Sequence, residues 1–200
     1  MATMVKKANA FEILNHWVTA ISFFVLAATG FAFLFQLEQM NAVFGNFNQM
    51  KIVHNYTGLV FTVSLFLSLF SYLPVALAVS GDDIEWLLKG GGYFSKKAVV
   101  PPQGKINTGQ KGYYLFLVLT GSAISVSGFY IWLLPGIRKW ILLSHLAHNI
   151  AFDLMLIAIP LHIYLATLAN PGTLRIMLTG SVPLEWARKR HAKWIREMGL

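Results

Sequence analysis

The segment SHLAHNIAFDLMLIAIPLHIY, residues 144–164, is apolar enough to lie in a membrane, yet it contains three histidines and an aspartate. His145, His148, Asp153 and His162 stand among leucine, isoleucine, methionine and phenylalanine. An ionisable side chain is costly at membrane depth, and the few that occur there usually mark a functional site. The segment therefore predicts a membrane-spanning helix that contributes to such a site.

Charged residues are scarce along the whole chain and lie in clusters. The chain has 200 residues, of which 56% are hydrophobic and only 12% are charged, whereas about 25% of the residues in a soluble domain are charged. A membrane-spanning helix needs about 20 mainly apolar residues, and four stretches meet that length, at about 12–35, 52–79, 112–134 and 141–168. We predict one all-α membrane domain, residues 1–200, built as a four-transmembrane-helix bundle.

The distribution of lysine and arginine predicts the orientation of this bundle. Thirteen of these residues lie in the N-terminal tail, the second connecting segment and the C-terminal tail, and three lie in the first and third connections. Short cytoplasmic loops carry an excess of basic residues. Both termini are therefore expected on the cytoplasmic side. The basic residues of the second connection are Lys89, Lys96, Lys97, Lys105 and Lys111.

Two segments outside the spans carry signals of further helical structure. GDDIEWLLKGGG, residues 81–92, begins with acidic residues and ends in glycines, which predicts a short helix on the membrane surface. The basic amphipathic tail 181–198, SVPLEWARKRHAKWIREM, is expected either to anchor on anionic lipid or to dock a partner. His191 lies in this tail and is expected to be solvated.

Four histidines are arranged as two pairs at matching depths. His16 begins the first span on the cytoplasmic side, and His54 begins the second span on the periplasmic side. His148 and His162 lie near opposite ends of the fourth span. Their separation corresponds to about 21 Å along a helix and close to four turns, so both rings project from one face. The predicted pairs are His16 with His162 and His54 with His148.

Two levels with two facing imidazoles each are typical of two b-type haems held inside a helix bundle. A closed zinc site usually takes four nitrogen or sulfur ligands, and each level offers two. The absence of cysteine excludes disulfides, covalently attached c-type haem and cysteine-ligated iron–sulfur clusters. The prediction is two haem b groups, with iron ligated by His16 and His162 on the cytoplasmic side and by His54 and His148 on the periplasmic side.

Two further polar residues of the fourth span have open roles. His145 precedes His148 by one turn and is an alternative ligand, although we favour His148 and expect His145 to meet headgroups, a haem propionate or a partner. Asp153 is expected to face away from both haems. It would then pair with a group on a partner's transmembrane segment, or border a water-filled proton route.

These residues lie in motifs that resemble the cytochrome b (gamma) subunit of membrane-bound formate dehydrogenases, within the bacterial di-haem cytochrome b superfamily. The resemblance covers nearly the whole chain. Its motifs are NHWVTAISFFVLAATGFAF around His16, KIVHNYTGLVF around His54, KINTGQK in the second connection, LHIYLATL around His162, and GSVPLEWARKRHAKWIRE in the tail.

The resemblance implies the same four haem ligands and adds a quinone pocket formed by Asn107, Gly109, Gln110 and His162. It implies an electron-transfer and quinone-reducing subunit of an anaerobic respiratory complex in the bacterial inner membrane, with no catalytic residue of its own for the donor. Its partners would be an iron–sulfur (beta) subunit and a molybdenum or tungsten catalytic (alpha) subunit, with menaquinone or ubiquinone as substrate and no nucleic acid. From the residues alone, this segment is better explained as a polar cap at the start of the third span, with Asn107 or Thr108 as the N-cap. The resemblance reverses that order and favours the quinone pocket.

Other functions fit the same helices. One alternative is the cytochrome b subunit of a nickel–iron hydrogenase or of another quinone-linked oxidoreductase. A free-standing di-haem quinone oxidoreductase is a further alternative, and a haem-free transporter or membrane anchor is another.

Overall fold

The computed structural model describes residues 3–94, 99–134 and 136–200. Four long helices dominate it: α1 (Ala10–Leu34), α3 (Phe47–Leu77), α5 (Thr108–Leu133) and α6 (Arg138–Tyr164), the last continuing as a π-helical turn, Leu165–Ala169. All four are long and apolar enough to cross a membrane. The predicted all-α fold with four transmembrane helices is confirmed. Lys96 and Lys97, two of the basic residues from which the orientation was predicted, lie outside the described residues.

Short elements connect and flank the long helices. They are β1 (Met4–Lys6), α2 (Asn41–Phe44), α4 (Gly81–Leu88), α7 (Leu174–Thr179), β2 (Ser181–Pro183), α8 (Leu184–Arg190) and α9 (Ala192–Glu197), with 3₁₀ turns at Glu38–Met40 and Gly90–Gly92. Helix α4 confirms the short helix predicted from its acidic start and glycine stop. Ser80 and Asp83 form the capping box at its start.

The long helices begin two to five residues before the predicted positions, because polar capping residues precede the apolar runs. At α1, Asn9 N–H donates to Glu12 Oε2 at 2.7 Å and Glu12 N–H donates to Asn9 Oδ1 at 2.8 Å. At α3, Gln49 N–H donates to Asn46 Oδ1 at 3.0 Å. Such caps satisfy amide groups that the helix itself leaves unpaired. The charge-free runs used for prediction could not include these polar first turns.

One compact unit, called the helical unit, comprises Leu14–Ser68 and Val118–His162 and contains most of the four long helices. Polar side chains connect its helices. Asn15 Nδ2 on α1 donates to the Ser64 carbonyl of α3 at 3.0 Å, and Thr62 Oγ1 on α3 donates to Ser125 Oγ on α5 at 2.9 Å. Small residues with such hydrogen bonds allow close helix packing in membranes. This unit contains all four paired histidines.

The second compact unit, called the terminal unit, comprises Met1–Ile13, Leu69–Leu117 and Ile163–Leu200, apart from the residues not described. Strands β1 and β2 pair antiparallel, with Val5 opposite Val182. Around them lies a small core formed by Val5, Ala8, Ile176, Val182, Ala187, Trp194 and Ile195. The C-terminal tail is therefore folded against the N-terminal segment. Its role toward lipid or a partner stays a prediction.

His191 is buried in the terminal unit, with a relative exposure of 2%. Its Nδ1–H donates to the Gly104 carbonyl at 2.7 Å, and its Nε2 accepts a hydrogen bond from Lys7 Nζ. The expectation that His191 is solvated was wrong. The strand pairing carries Lys7 to this histidine, and such a long-range contact leaves no trace in the local pattern of the basic tail.

Lys7 is a buried amine in an aromatic setting. Its relative exposure is 6%, and its Nζ lies 5.4 Å from the ring centroid of Trp186 and 5.7 Å from that of Trp194. Burial lowers the pKa of Lys7 to about 7, with smaller contributions from the charges of Lys105 and Arg190. Burial also lowers the pKa of His191 to about 3. Lys7 is therefore the group of this pair that titrates near neutral pH.

Stability of the terminal unit should rise with pH between about 7 and about 10. The pKa of Lys7 is about 7 in the folded chain, whereas an unfolded lysine has a pKa of about 10.4. In that range the unfolded chain binds the extra proton, so folding gains up to about 4 kcal/mol as the pH rises. Lys7→Met should flatten this dependence, because methionine cannot be protonated yet still packs on the indoles.

Thermal unfolding followed by tryptophan fluorescence in detergent, from pH 6.5 to pH 9.5, tests this expectation. The matched control is Lys6→Met, since Lys6 is the exposed neighbour of Lys7. Lys6→Met should retain the rise of the wild type. An equal rise in Lys7→Met would assign the pH dependence to other groups.

Candidate functional site

The helical unit brings the four spanning histidines together in the two predicted combinations. The rings of His54 on α3 and His148 on α6 have their centroids 6.3 Å apart, at an interplanar angle of 56°. The rings of His16 on α1 and His162 on α6 are also 6.3 Å apart, at 53°. The two pairs thus share one geometry, and α6 contributes one ring to each.

This separation suits one metal ion between each pair of rings. An imidazole nitrogen binds a transition metal at about 2.0–2.1 Å and lies about 1 Å from its ring centroid, so opposed ligands place their centroids about 6 Å apart. No group of three or more His, Cys, Asp or Glu side chains within residues 3–94, 99–134 and 136–200 could hold a metal by itself. A metal that brings its own equatorial ligands, as haem iron does, matches two axial histidines.

Hydrogen bonds at Nδ1 define the tautomers of His54 and His148. His148 Nδ1 lies 3.0 Å from the Ile124 carbonyl oxygen, which can only accept, so Nδ1 carries the proton. His54 Nδ1 lies 2.7 Å from Thr29 Oγ1. A proton on Nδ1 leaves the lone pair on Nε2, and the partner of one ring nitrogen thereby decides which nitrogen binds a metal.

A cavity of about 320 Å³ lies beside His54 and His148. Its size falls within the range of about 300–1,000 Å³ that is usual for cofactor sites. The lining is mainly apolar and aromatic, and includes Phe23, Leu26, Ala27, Phe61, Phe129, Trp132, Phe152 and Met155. Such a lining can enclose a flat apolar group and keep water from it.

Glycines keep the space next to these two histidines open. A Cβ atom at Gly128 of α5 would lie 3.1 Å from His148 Cε1 and 3.4 Å from His148 Nδ1. A Cβ atom at Gly30 of α1 would lie 3.8 Å from His54 Cε1. Gly58, which follows His54 by one turn, also lines the cavity. The absence of side chains at these positions leaves room beside the rings.

The segment assigned to the quinone pocket forms the start of α5 in the terminal unit. Asn107 N–H donates to Gln110 Oε1 at 2.9 Å, and Gln110 N–H donates to Asn107 Oδ1 at 2.8 Å. A Cβ atom at Gly109 would lie 2.9 Å from Cη2 of Trp86, so this indole covers the glycine. The N-cap role of Asn107 is therefore confirmed, and the quinone role of Asn107, Gly109 and Gln110 stays a prediction.

Asp83 anchors helix α4 to the start of α5. Its buried carboxylate accepts hydrogen bonds from Thr108 Oγ1 at 2.7 Å, Lys111 Nζ at 2.9 Å and the Ser80 amide at 2.8 Å. Burial alone would raise the pKa of Asp83, but these hydrogen bonds outweigh it and hold the pKa well below its ordinary value. The hydroxyl of Thr108 donates in this contact, which holds the start of α5 next to α4.

Comparison with known proteins assigns the chain to a family. A family model described as prokaryotic cytochrome b561 matches residues 7–180. The chain belongs to the prokaryotic cytochrome b561 family. The resemblance drawn from the motifs is confirmed, and the family implies haem b as the cofactor.

Three relatives match this cytochrome over most of its length. The formate dehydrogenase cytochrome b556(fdo) subunit of Escherichia coli strain K12 is 31% identical over 200 residues, covering 94% of this chain and 90% of the relative. The nitrate-inducible cytochrome b556(Fdn) subunit of the same strain is 28% identical, covering 98% and 92%. The formate dehydrogenase cytochrome b556 subunit of Haemophilus influenzae is 29% identical, covering 92% and 79%.

Asp153 and His145 occupy different settings on α6 of this cytochrome. Asp153 is exposed but also borders the cavity, because the lining follows α6 from His148 to Met155. This differs from the expectation that Asp153 faces away from the histidines. Among the residues that the structure describes, none forms a hydrogen bond or ion pair with its carboxylate. His145 is exposed, and His148 is the residue opposite His54.

Several contributors to the site were not predicted from the sequence. Thr29 and Gly30 approach His54, and Trp86 covers Gly109. A signal for Gly30 was present, because it follows His16 by the same interval that separates His148 from His162. Four turns along α1 therefore place Gly30 on the face of His16 but at the level of the other pair. Trp86 offered no comparable signal.

Proposed function

We propose that this cytochrome binds two b haems and relays electrons across the bacterial inner membrane as the cytochrome b subunit of a quinone-linked formate dehydrogenase. The observation that supports two haems is the repeated histidine pair, with ring centroids 6.3 Å apart in both places. The names of the relatives support formate dehydrogenase as the complex. When bound, haem supplies reversible one-electron transfer at each pair.

The chain's own residues hold and orient the two groups. His54 and His148 are proposed as axial ligands of one iron, and His16 and His162 as those of the other. In the first pair, the Nδ1 hydrogen bonds fix the rings with Nε2 available. The mainly apolar lining beside that pair would limit the access of water to a bound haem, and solvent access and local polarity help to set a redox potential. Helix α6 connects the two levels, which are about 21 Å apart along its axis.

We propose that both termini face the cytoplasm. Thirteen basic residues lie on the side of the termini and the second connection, against three on the other side, and cytoplasmic loops carry such an excess. The pair His54 and His148 then lies toward the periplasm, and His16 and His162 lie toward the cytoplasm. Electrons would enter at the periplasmic pair from an iron–sulfur subunit, which receives them from a molybdenum or tungsten catalytic subunit.

Removal of a histidine should remove one haem and leave the other. His54→Ala or His148→Ala should halve the haem content and abolish one low-spin signal, while His16→Ala or His162→Ala should abolish the other signal. The reason is that a missing axial ligand leaves one coordination position of one iron unfilled. Haem extraction assays with electron paramagnetic resonance of the purified complex provide the measurement. Both signals persisting after His162→Ala would overturn the pairing.

Two glycine variants on α5 add a matched comparison. Gly128→Ala places a methyl group against the ring of His148 and should reduce the same haem signal as His148→Ala. Gly112→Ala is the control, because a Cβ atom there would meet no other atom within 4 Å. In both variants the change from glycine to alanine favours the helix by about 1 kcal/mol. A difference in haem signal between the two variants therefore reports the effect of filling the space beside His148.

We further propose that a quinone, menaquinone or ubiquinone, is reduced at the segment that contains Asn107, Gly109 and Gln110. The capping contacts use Asn107 Oδ1 and Gln110 Oε1 as acceptors. Each amide also carries an NH₂ group that can donate to a quinone oxygen. The segment can therefore cap α5 and bind quinone at the same time.

Loss of either amide should slow quinone reduction about tenfold, which is the effect of one hydrogen bond of about 1.4 kcal/mol. Asn107→Ala and Gln110→Ala remove both the cap and the amide donor. Asn107→Asp and Gln110→Glu retain a capping acceptor but remove the NH₂ donor. All four should slow haem reoxidation by an added quinone, while formate still reduces both haems. Wild-type reoxidation in the aspartate and glutamate variants would indicate that the segment serves only as a helix cap.

Asp153 is proposed to pair with a hydrogen-bonding or basic group on a transmembrane segment of a partner subunit. An unpaired carboxylate in hydrocarbon is costly. Asp153→Asn should therefore weaken retention of the partner subunits during purification and leave the haem content unchanged. The control is Leu119→Ala, which shortens an exposed apolar side chain on α5. Full subunit retention combined with slower proton uptake in Asp153→Asn would instead indicate a proton route.

A further inference from the structure

Thr29 is a fully buried side chain on α1 in direct contact with a proposed haem ligand from α3. Its relative exposure is 0%, and its Oγ1 lies 2.7 Å from Nδ1 of His54. Helix α1 supplies no ligand to the His54 and His148 pair. Thr29 therefore reaches this site from a third helix. Its hydroxyl contacts Nδ1 of His54, the ring nitrogen that is not proposed to bind iron.

The direction of the Thr29–His54 hydrogen bond follows from the remaining contacts of the hydroxyl. Thr29 Oγ1 lies 2.8 Å from the carbonyl oxygen of Val25 and 3.1 Å from that of Leu26. A threonine hydroxyl has one proton, and carbonyl oxygens can only accept it. The proton therefore goes to the backbone of α1, as is common for threonine in helices. Thr29 Oγ1 must then accept a hydrogen bond from Nδ1–H of His54.

His148 meets a different acceptor. Its Nδ1–H donates to the backbone carbonyl of Ile124 at 3.0 Å, with Ser127 Oγ at 3.2 Å. A main-chain acceptor is present whatever the side chain of Ile124. The acceptor for His54 is the side chain of Thr29 alone among the residues that the structure describes. His148 is thus held by a main-chain carbonyl, whereas His54 is held by a side-chain hydroxyl that a single substitution can remove.

We propose that Thr29 is a positioning residue that fixes the tautomer and orientation of His54 and thereby sets the reduction potential of the haem at the His54 and His148 pair. The inference rests on the proposed haem at this pair. A hydrogen bond from Nδ1–H makes Nε2 a stronger electron donor to a metal. A stronger donor stabilises the oxidised iron more than the reduced iron. Thr29 therefore lowers the potential of this haem and leaves the other haem unaffected.

The test compares three variants of the full complex. Thr29→Val keeps the shape of the side chain and removes the acceptor, whereas Thr29→Ser retains the hydroxyl. The matched control is Thr167→Val, because the Thr167 hydroxyl also donates to the carbonyl four residues earlier, that of Ile163, at 2.6 Å, and Thr167 is not among the residues that line the cavity. Potentiometric titration monitored optically and by electron paramagnetic resonance resolves the two haems.

Thr29→Val should raise the potential of one haem, alter the low-spin signal of that haem only, and speed its loss from the protein about tenfold, in line with removal of a hydrogen bond behind a metal ligand. Thr29→Ser and Thr167→Val should match the wild type. Equal potentials, signals and haem retention in Thr29→Val and Thr167→Val would overturn the inference. His54→Ala separates the two hypotheses, since unchanged haem content in that variant would overturn the proposed haem site itself.

Discussion

Four imidazole rings lie within membrane-spanning helices, where hydrocarbon offers no hydrogen-bonding partner to a polar nitrogen. Each ring nitrogen must therefore find a partner in the protein or in a bound group. At His54 and His148, Nδ1 is satisfied by Thr29 and by the Ile124 carbonyl, which turns both Nε2 atoms to the opposite side. The metal that we propose between the paired rings would satisfy those two atoms together. This requirement would explain why the histidines occur as facing pairs and why glycines and small residues surround them.

Helices α1 and α6 each serve both levels of the helical unit. Helix α6 contributes His162 to one pair and His148 to the other, while α1 contributes His16 as a ring to one pair and Thr29 as an acceptor to the other. On α6 the two histidines are separated by close to four turns and share a face, whereas His16 and Thr29 on α1 are about 3.6 turns apart and point to different sides of that helix. Any rotation of α1 about its axis would alter both sites at once. The two sites are thus coupled by helix geometry, although no side chain belongs to both.

Much of this arrangement could be predicted from the sequence, because its signals are local and periodic. Uncharged runs predicted the four spans, and the matching depths of the four histidines predicted the pairing, which the interval between His148 and His162 supported. Contacts between distant segments could not be predicted in the same way. The burial of Lys7 and His191 depends on the pairing of β1 with β2, which places residues 184 positions apart in contact. The capping role of Asn107 was visible locally, but the indole of Trp86 over Gly109 was not, since a tryptophan in a short helix has many possible neighbours.

Two aspartates illustrate how the surroundings of a carboxylate indicate its role. Asp83 receives hydrogen bonds from Thr108, Lys111 and Ser80 within the terminal unit, so its charge is satisfied inside the chain and its task is to hold a loop. Asp153 lies on a spanning helix, is exposed, and has no such partner among the described residues. The cost of burying a bare carboxylate in lipid is too large for this state to persist. A partner for Asp153 is therefore expected from outside the described residues or from water in the adjoining cavity, and we favour a neighbouring subunit, because its transmembrane segment would also cover the exposed face of α6.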